Sequence, residues 1–568
     1  MVTFGQLRSL LGIARHELSA RFGICGQAPH GDFESMAGGF VNITLRHNGR
    51  VVGSMGGSGS TLPEAVRLAM QRASQDDRFG SSVLRGDLDF ITIELWIEQA
   101  RAQLTGDPAG WAEQMRLGWD GVMISRGMLS AYYKPSVALT KSVATIEELL
   151  GKLCRKAHLP EHAWRDSETR VERTGWIHAL ESKPGIVLLE GLRAAPWRRA
   201  KPDTILAAAG FSLSRLLAIQ KADGSLGYLY HPFDDKWDRT SHCVRLAGCA
   251  YALARAAVHP AFRSDSIPLA GPVDRIATHL LGYATRLNGL TFIREPDDGP
   301  AWGKLGATAL TALAAQFTPE PFGEAAAALI ETLMLLQDGD GRFSCGIGRN
   351  EGPTAQNFFP GEAILALVCN LMRTNNPRIV LTLSRAFHFY KRHYYATPAS
   401  AFVVWHAVAW TRLASWLSVN QLNRLGSDGP GIEEICAFVL DQIDWLVEQQ
   451  YTKDNTSREE YVGGFKAPTQ PSASSAAFVE AINCALQAAK LAGDEVRLLK
   501  YRESVTMGME FIMRLQVLAG SAPFFPRPEL AIGGVTQTLE SFDMRCDHDQ
   551  HFLTACLTAM DMADLFWN

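Results

Sequence analysis

Nothing in this chain of 568 residues reads as a membrane span, because no stretch approaches the roughly 18 uninterrupted apolar residues that one requires. There is no charge surplus either. The chain holds 55 Lys and Arg against 59 Asp and Glu, net −4, so it offers no basic excess to hold a polyanion, and nucleic acid is excluded as an expected partner. The ten cysteines are scattered singly with no C-x-x-C, which fits reduced thiols and makes the cytoplasm the expected compartment. A secretory leader is not expected: the first 23 residues thread Arg8, Arg15, His16, Glu17 and Arg21 through their apolar positions, as an amphipathic helix does. What is present is a 47% apolar content, enough to rule out wholesale disorder, and a length worth roughly three to four domains.

Residues 1–193 mix the helical and strand periods. Leu7, Leu10, Leu11, Ala14 and Leu18 keep helical spacing, Phe40 to Arg46 alternates as a strand, and Asp89 to Ile97 alternates again. Thr61 is the expected N-cap of a helix with Pro63 and Glu64 in its first turn. The Gly-rich run Gly53–Gly59 has neither the P-loop lysine nor the G-x-G-x-x-G order, and is expected to be a flexible turn after a strand. Cys25 is expected to be structural. This is an α+β pattern.

The order of motifs here resembles the AMMECR family. The resemblance is carried by Leu10-Leu-Gly-Ile-Ala-Arg15, Phe40-Val-Asn-Ile-Thr-Leu45, Leu62-Pro-Glu-Ala-Val66, Asp77-Arg-Phe79, Leu117-Gly-Trp-Asp-Gly121 and Leu150 to Lys156. The family's Leu-Arg-Gly-Cys-Ile-Gly signature is here Val51-Val52-Gly53-Ser54-Met55-Gly56, without its arginine and cysteine. A serine needs an adjacent base to match a thiolate, so Ser54 is a poor nucleophile on sequence grounds, and the domain is expected to be a docking module for a protein partner.

The stretch 194–203, with two prolines and clustered charges, is the expected solvated linker. From 204 to 568 nearly everything keeps helical period. Six segments rich in Ala and low in charge (Thr240–Ala257, Trp302–Phe317, Phe359–Met372, Phe402–Leu417, Ser475–Ala492 and Asp549–Leu565) alternate with amphipathic ones (Ile205–Gln220, Val273–Leu287, Glu324–Gln337, Arg378–Tyr390, Ile432–Gln449 and Val496–Gln516). A helix with few charges is packed on both sides, and its amphipathic partner has a wet face. Six such pairs predict an all-α (α/α)6 toroid of inner and outer helices behind the N-terminal α+β domain. A repeated phrase supports it: Q-x-x-D-G occurs at Gln220–Gly224 and again at Gln337–Gly341, and four outer helices end in Gln, at 220, 337, 449 and 516. These turns resemble those of terpenoid-cyclase and prenyltransferase toroids and, loosely, of six-hairpin glycosidases, while Asn357 to Cys369 is similar to the PGEA-type segment of six-hairpin proteins.

In such a ring the N-terminal turns of the inner helices gather at one mouth, where free N–H groups suit anionic or polyhydroxyl ligands. The residues there are the site candidates. His242, Glu362, His406, Asp547, His548 and His551 are the acid and base candidates, Asp547 and His551 sharing a face at i, i+4. Asp547 or Asp549 reads equally as the cap of the last helix. Tyr228, Tyr230, Asp234, Asp235, Asp238, Arg245, Trp302, Phe359, Trp405 and Arg545 are the substrate-binding candidates. Asp234-Asp-Lys-Trp-Asp238 spells the D-D-x-x-D of magnesium–diphosphate chemistry, but the D-x-D-D of cyclising toroids is missing. Cys484 with His548 or His551 would be the partial ligand set for zinc.

Three functions are consistent with this pattern. The first is a carbohydrate-active hydrolase, lyase or epimerase working on a polar glycan, acidic ones included. The second is a non-catalytic scaffold that binds a peptide or partner protein. The third is a metal-dependent isoprenoid or peptide-tailoring enzyme, with zinc or magnesium as its cofactor.

Overall fold

The structure is a computed structural model and describes residues 2–24, 36–79, 83–182, 185–238, 242–263, 268–297, 299–466 and 470–567. Cys25 lies outside the described residues. The N-terminal domain is built on an antiparallel sheet of β1 (Ala37–His47), β2 (Arg50–Thr61), β3 (Ile91–Gln103), β4 (Gly121–Arg126), β5 (Leu129–Tyr133), β6 (Arg170–Glu181), β7 (Ile186–Glu190) and β8 (Arg193–Ala195). The main order is β2-β1-β3-β6-β4-β5, with β7 and β8 added beside β6. Helices α1 (Phe4–Ala20) and α2 (Leu62–Ala73) cover one apolar face, and α3 (Ile146–Lys156) covers a second cluster around Val122, Ile124 and Trp164. Thr61 caps α2 as expected, its hydroxyl accepting from Glu64 N at 3.3 Å. Gly53–Gly59 is not a turn but the interior of β2. A Cβ on Gly53, Gly57 or Gly59 would stand 2.1, 2.5 and 2.7 Å from backbone atoms of α2, so these glycines let the helix lie against the strand.

Among the described residues twelve long α-helices follow, with three single-turn α-helices between or after them. The inner six are α5 (Cys243–Val258), α7 (Leu305–Phe317), α9 (Phe359–Thr374), α11 (Ser400–Val419), α13 (Ser475–Ala492) and α15 (Cys546–Asp561). Each packs on the next, and α15 returns to α5, so the ring closes. The outer six are α4 (Pro202–Ala218), α6 (Ala270–Leu281), α8 (Ala325–Leu335), α10 (Pro377–Ala396), α12 (Ile432–Val447) and α14 (Glu495–Leu515). Two-sided packing explains the missing charges: every residue from Leu305 to Ala315 is buried, and so is every residue from Phe402 to Thr411. The fold is thus an α+β domain followed by an (α/α)6 toroid.

The glutamines that end the outer helices stitch the rim. Gln220 Nε2 donates to Pro272 O (2.9 Å), Gln337 to Thr382 O (2.9 Å), Gln450 to Ser504 O (3.0 Å) and Gln516 to Ala208 O (2.9 Å), each time a carbonyl of the next outer helix. The third of these is Gln450 and not Gln449, since the bonding side chain sits one residue past the expected one. Beside each, a glycine of positive φ (Gly224, Gly341, Gly463, Gly533) passes so close to that next helix that a Cβ would lie 1.9–2.3 Å from its backbone. Gln450→Ala would leave the carbonyls of Gly463 and Ser504 buried without this donor, and we expect a loss of about 1–3 kcal/mol in urea unfolding with an unchanged m-value.

Three expectations change. The helix expected over Val273–Leu287 stops at Leu281, and Ala284–Leu287 turns back on Leu290–Ile293 as a hairpin. Strand structure is also not absent from the toroid, since β9 (Leu229–His231) and β10 (Lys236–Asp238) pair and Met544–Arg545 adds to β9. The junction is not a free solvated stretch. Arg193 donates to Leu539 O (2.8 Å) and Thr536 Oγ1 (2.8 Å), and Arg198 donates to Met513 O (2.7 Å) and Gln516 Oε1 (3.0 Å), which fastens the sheet domain to the ring.

Candidate functional site

The mouth formed by the N-terminal turns of the inner helices gathers most of the expected residues around two guanidiniums. Arg545, at the N-cap of α15, donates twice to Asp547 (2.9 and 2.6 Å) and lies 5.4 Å over the Tyr228 ring. Arg245, on the first turn of α5, reaches the same carboxylate at 3.1 Å. Burial by itself raises the Asp547 carboxyl, but Arg245, His548 and Arg545 overcome it and hold the group well below the usual carboxylate range. Asp547 is therefore an ion-pair centre, and neither it nor Asp549 caps α15 by a side-chain hydrogen bond.

Glu362, on the first turn of α9, has the opposite environment. It is 5% exposed, its Oε2 has no hydrogen-bond partner, and a Cβ on Gly306 would stand 2.3 Å from that oxygen. Burial pushes its carboxyl up to about 8, with only Arg245 opposing, so it holds a proton at neutral pH. The imidazoles are pushed the other way. Burial lowers His548 to about 3 and His551 to about 4 despite the attraction of Asp547, so both are neutral. His551 is half-buried, 5.7 Å from the Trp405 ring, while His548 is buried with Nδ1 unpartnered. His242, at the N-cap of α5 and 4.3 Å from the Tyr228 ring, is lowered by burial and then by Arg245 and Lys304.

A cavity of about 570 Å³ opens beside this cluster, with Tyr228, Trp237, Asp238, His242, Arg245 and Cys546 in its wall. Trp302 stands at the edge of the mouth between the cations of Lys304 (5.5 Å) and Arg349 (4.9 Å), and Phe359 is half-buried one turn before Glu362. Further in, Trp405 of α11 meets Tyr251 of α5 at 6.4 Å across the ring.

Other expected residues point elsewhere. His406 turns outward: it is fully buried, stacked on Phe402 at 3.7 Å, 5.1 Å from the Tyr390 ring of α10, and accepts from Trp410 Nε1 at 3.3 Å. Tyr230 is a core residue of the small sheet, its hydroxyl donating to Asp235 Oδ1 at 2.9 Å. Asp234 and Asp235 sit at the tip of the β9–β10 hairpin and Asp238 on its return strand, so this D-D-x-x-D has no helical face on which to hold magnesium. Cys484 lines a separate cavity with Arg255, Arg412 and Asp561, away from His548 and His551, and does not join them as a zinc set. Among the described residues no group of three or more His, Cys, Asp or Glu is placed to hold a metal ion.

Glu295 was not legible in the sequence. It is 7% exposed and 3.6 Å from Lys304, and it follows the hairpin whose first strand reads as helix. Its only signal is the Asn288-Gly289 turn dipeptide.

The family description AMMECR1 matches residues 12–174, and a protein of Methanothermobacter thermautotrophicus is 32% identical over 137 residues, 23% of this chain and 70% of that protein. The chain belongs to the AMMECR1 family. A protein of Thermococcus kodakarensis is 32% identical over 108 residues, 19% of this chain and 52% of that protein, so the chain spans about half the length of such curated relatives. The AMMECR1 match ends before the toroid begins. Over 63% of this chain and 98% of the other, a solved sugar epimerase from a ruminal bacterium is similar with TM-score 0.46 and 11% identity. No helix among the described residues is long and apolar enough to cross a membrane.

Proposed function

We propose that the toroid that follows the AMMECR1 domain is a glycan-processing enzyme, with its site at the inner-helix N-terminal mouth. The observation that carries this reading is the separation of two carboxyls around Arg245, one ionised (Asp547) and one protonated (Glu362). Two acids pushed apart in this way suit paired roles, a stabilising anion and a proton donor. Neutral His551 beside Trp405 supplies a base, and Trp302, Tyr228 and Phe359 supply flat faces for a sugar ring. The half-buried cations Arg245 and Lys304 and the exposed Arg349 favour a substrate that bears carboxylates. Hydrolysis, elimination and epimerisation all need this equipment.

A panel of acidic oligosaccharides incubated with the full chain in D2O tests the reading. We expect either shortened products by mass spectrometry or carbon-bound deuterium by NMR. No change in any member, together with measurable binding, would instead support a second reading, a ring that holds a peptide or partner protein without turnover. The near-complete burial of Glu362 and Asp547, 5% and 3% exposed, is what favours that alternative.

A further inference from the structure

The sheet domain has a cavity of its own, about 580 Å³, that the toroid reading does not use. At its floor four polar side chains converge from three elements. Lys134, which leads into the short helix Pro135–Thr140, is 9% exposed. Its Nζ lies 2.8 Å from Asn42 Oδ1, is hydrogen-bonded to Thr44 Oγ1, and lies 3.4 Å from Ser54 Oγ. Ser54 Oγ is also 2.9 Å from Thr44 Oγ1.

Three oxygens surround Nζ, as many as an ammonium can donate to, whereas a neutral amine keeps two N–H groups and one lone pair. Once the amine is neutral, Asn42 and Thr44 can accept its two hydrogens, which frees the lone pair for the Ser54 hydroxyl. The setting favours that state. Burial brings the Lys134 amine down to about 7; Glu94 opposes this, while Arg46 and Lys156 reinforce it. His178, hydrogen-bonded to Glu94 at 3.1 Å, is a further titratable neighbour, and burial lowers its imidazole while Glu94 opposes.

Ser54 is also held as a nucleophile has to be. It is half-buried on β2 with its side chain in the cavity wall, its N–H donates to Asp76 Oδ2 (2.9 Å), and its carbonyl accepts from Arg78 (2.7 Å). The rest of the wall is cationic and aromatic: Arg78, Lys156 and Tyr132.

We propose that Ser54 and Lys134 form a nucleophile–base pair that hydrolyses esters carrying an anionic group. Ser54 Oγ bonds to the acyl carbon while its proton passes to Lys134, directly or with Thr44 handing on its own. The ester C–O bond breaks, and Lys134 returns the proton to the leaving alkoxide. Water then attacks the acyl-serine, gives a proton to Lys134, and Ser54 recovers it as the acid departs. The sum is ester plus water to acid plus alcohol. Arg78 and Lys156 select the anionic group.

Treating the full chain with a fluorophosphonate and mapping the adduct tests this. We expect a single adduct on Ser54, forming at a rate that climbs through about pH 7 as Lys134 loses its proton, and lost in Ser54→Ala. Lys134→Arg, which puts a permanent cation in place of the base, should slow labelling by at least ~100-fold. The monoester 4-nitrophenyl succinate should be cleaved faster than 4-nitrophenyl acetate. An adduct elsewhere, no adduct, or a wild-type labelling rate that stays flat between about pH 5.5 and about pH 8.5 overturns the proposal, and the wild-type profile decides even where a variant fails to fold.

Discussion

Replacing Arg215 by leucine should cost the folded protein about 3–5 kcal/mol at pH 7, the largest single-residue effect on stability that we expect. Arg215 on α4 is fully buried and paired with the equally buried Asp549 on the first turn of α15. Asp549 also accepts from Val535 N at 2.8 Å, and Ser212 donates to Asp549 O at 3.2 Å. This contact joins the first helix of the toroid to the last, so it is where the ring closes. Removing the guanidinium leaves a carboxylate without counter-charge in the interior, a far larger penalty than the pair itself is worth in stability. The pH dependence follows from the direction of the shift. Burial already raises Asp549 to about 6 even with Arg215 opposing, so the folded state holds that proton more tightly than the unfolded chain. Its contribution is fully present below the ordinary carboxylate value and is lost as pH rises through about 6. In Arg215→Leu the raised window extends upward, so the deficit should shrink as the pH is lowered. Adding Asp549→Asn, which keeps an acceptor for Val535 N–H, should restore most of the loss at pH 7. Urea midpoints for the four proteins of this cycle measure it, and an additive double variant would remove the pair from this account.

The same closure shows why the architecture was legible in sequence and much of the mouth was not. A helix buried on both sides has to lack charge, and that lack is visible in Leu305–Ala315 or Phe402–Thr411 without any knowledge of the ring. For the same reason such a helix does not say which of its faces looks inward. Trp405 and His406 are adjacent, yet one faces the axis and the other is stacked against Phe402 toward α10. Two- to four-residue strands carry too little alternation to read, so the hairpin's first strand, Ala284–Leu287, reads as the end of a helix and Glu295 beyond it is not legible. The D-D-x-x-D run resembles a metal clasp only if helical, and a hairpin carries it instead. Charges are visible in a sequence, but the burial that separates Glu362 from Asp547 is not. Nor is the pairing of Ser54 with Lys134, 80 residues apart in the chain, which supplies the neighbouring base that the serine alone lacks.

On the proposed glycan-processing reading, turnover should fall by at least ~100-fold in Glu362→Gln while the melting temperature at pH 7 stays level or rises. These two readouts separate a proton donor from a helix-dipole partner. As a dipole partner Glu362 would be ionised, and its amide would weaken the fold. The carboxyl is instead held at about 8 by burial, so the folded state prefers it protonated, and its contribution is lost as pH rises through about 8. A neutral amide keeps the shape and removes that loss, so stability at high pH should improve as activity disappears. In the wild type the rate should rise as His551 becomes neutral above about 4 and fall as Glu362 ionises near 8, giving a bell. Asp547 stays ionised across this whole range and opposes burial at His551, so Asp547→Asn should lower the plateau and move the acid limb further down. That variant also strands Arg245 and Arg545 without their shared anion, and its melting temperature should drop. A Glu362→Gln protein that keeps turnover within about threefold, or a wild-type profile with no upper limb near 8, would take Glu362 out of the chemistry.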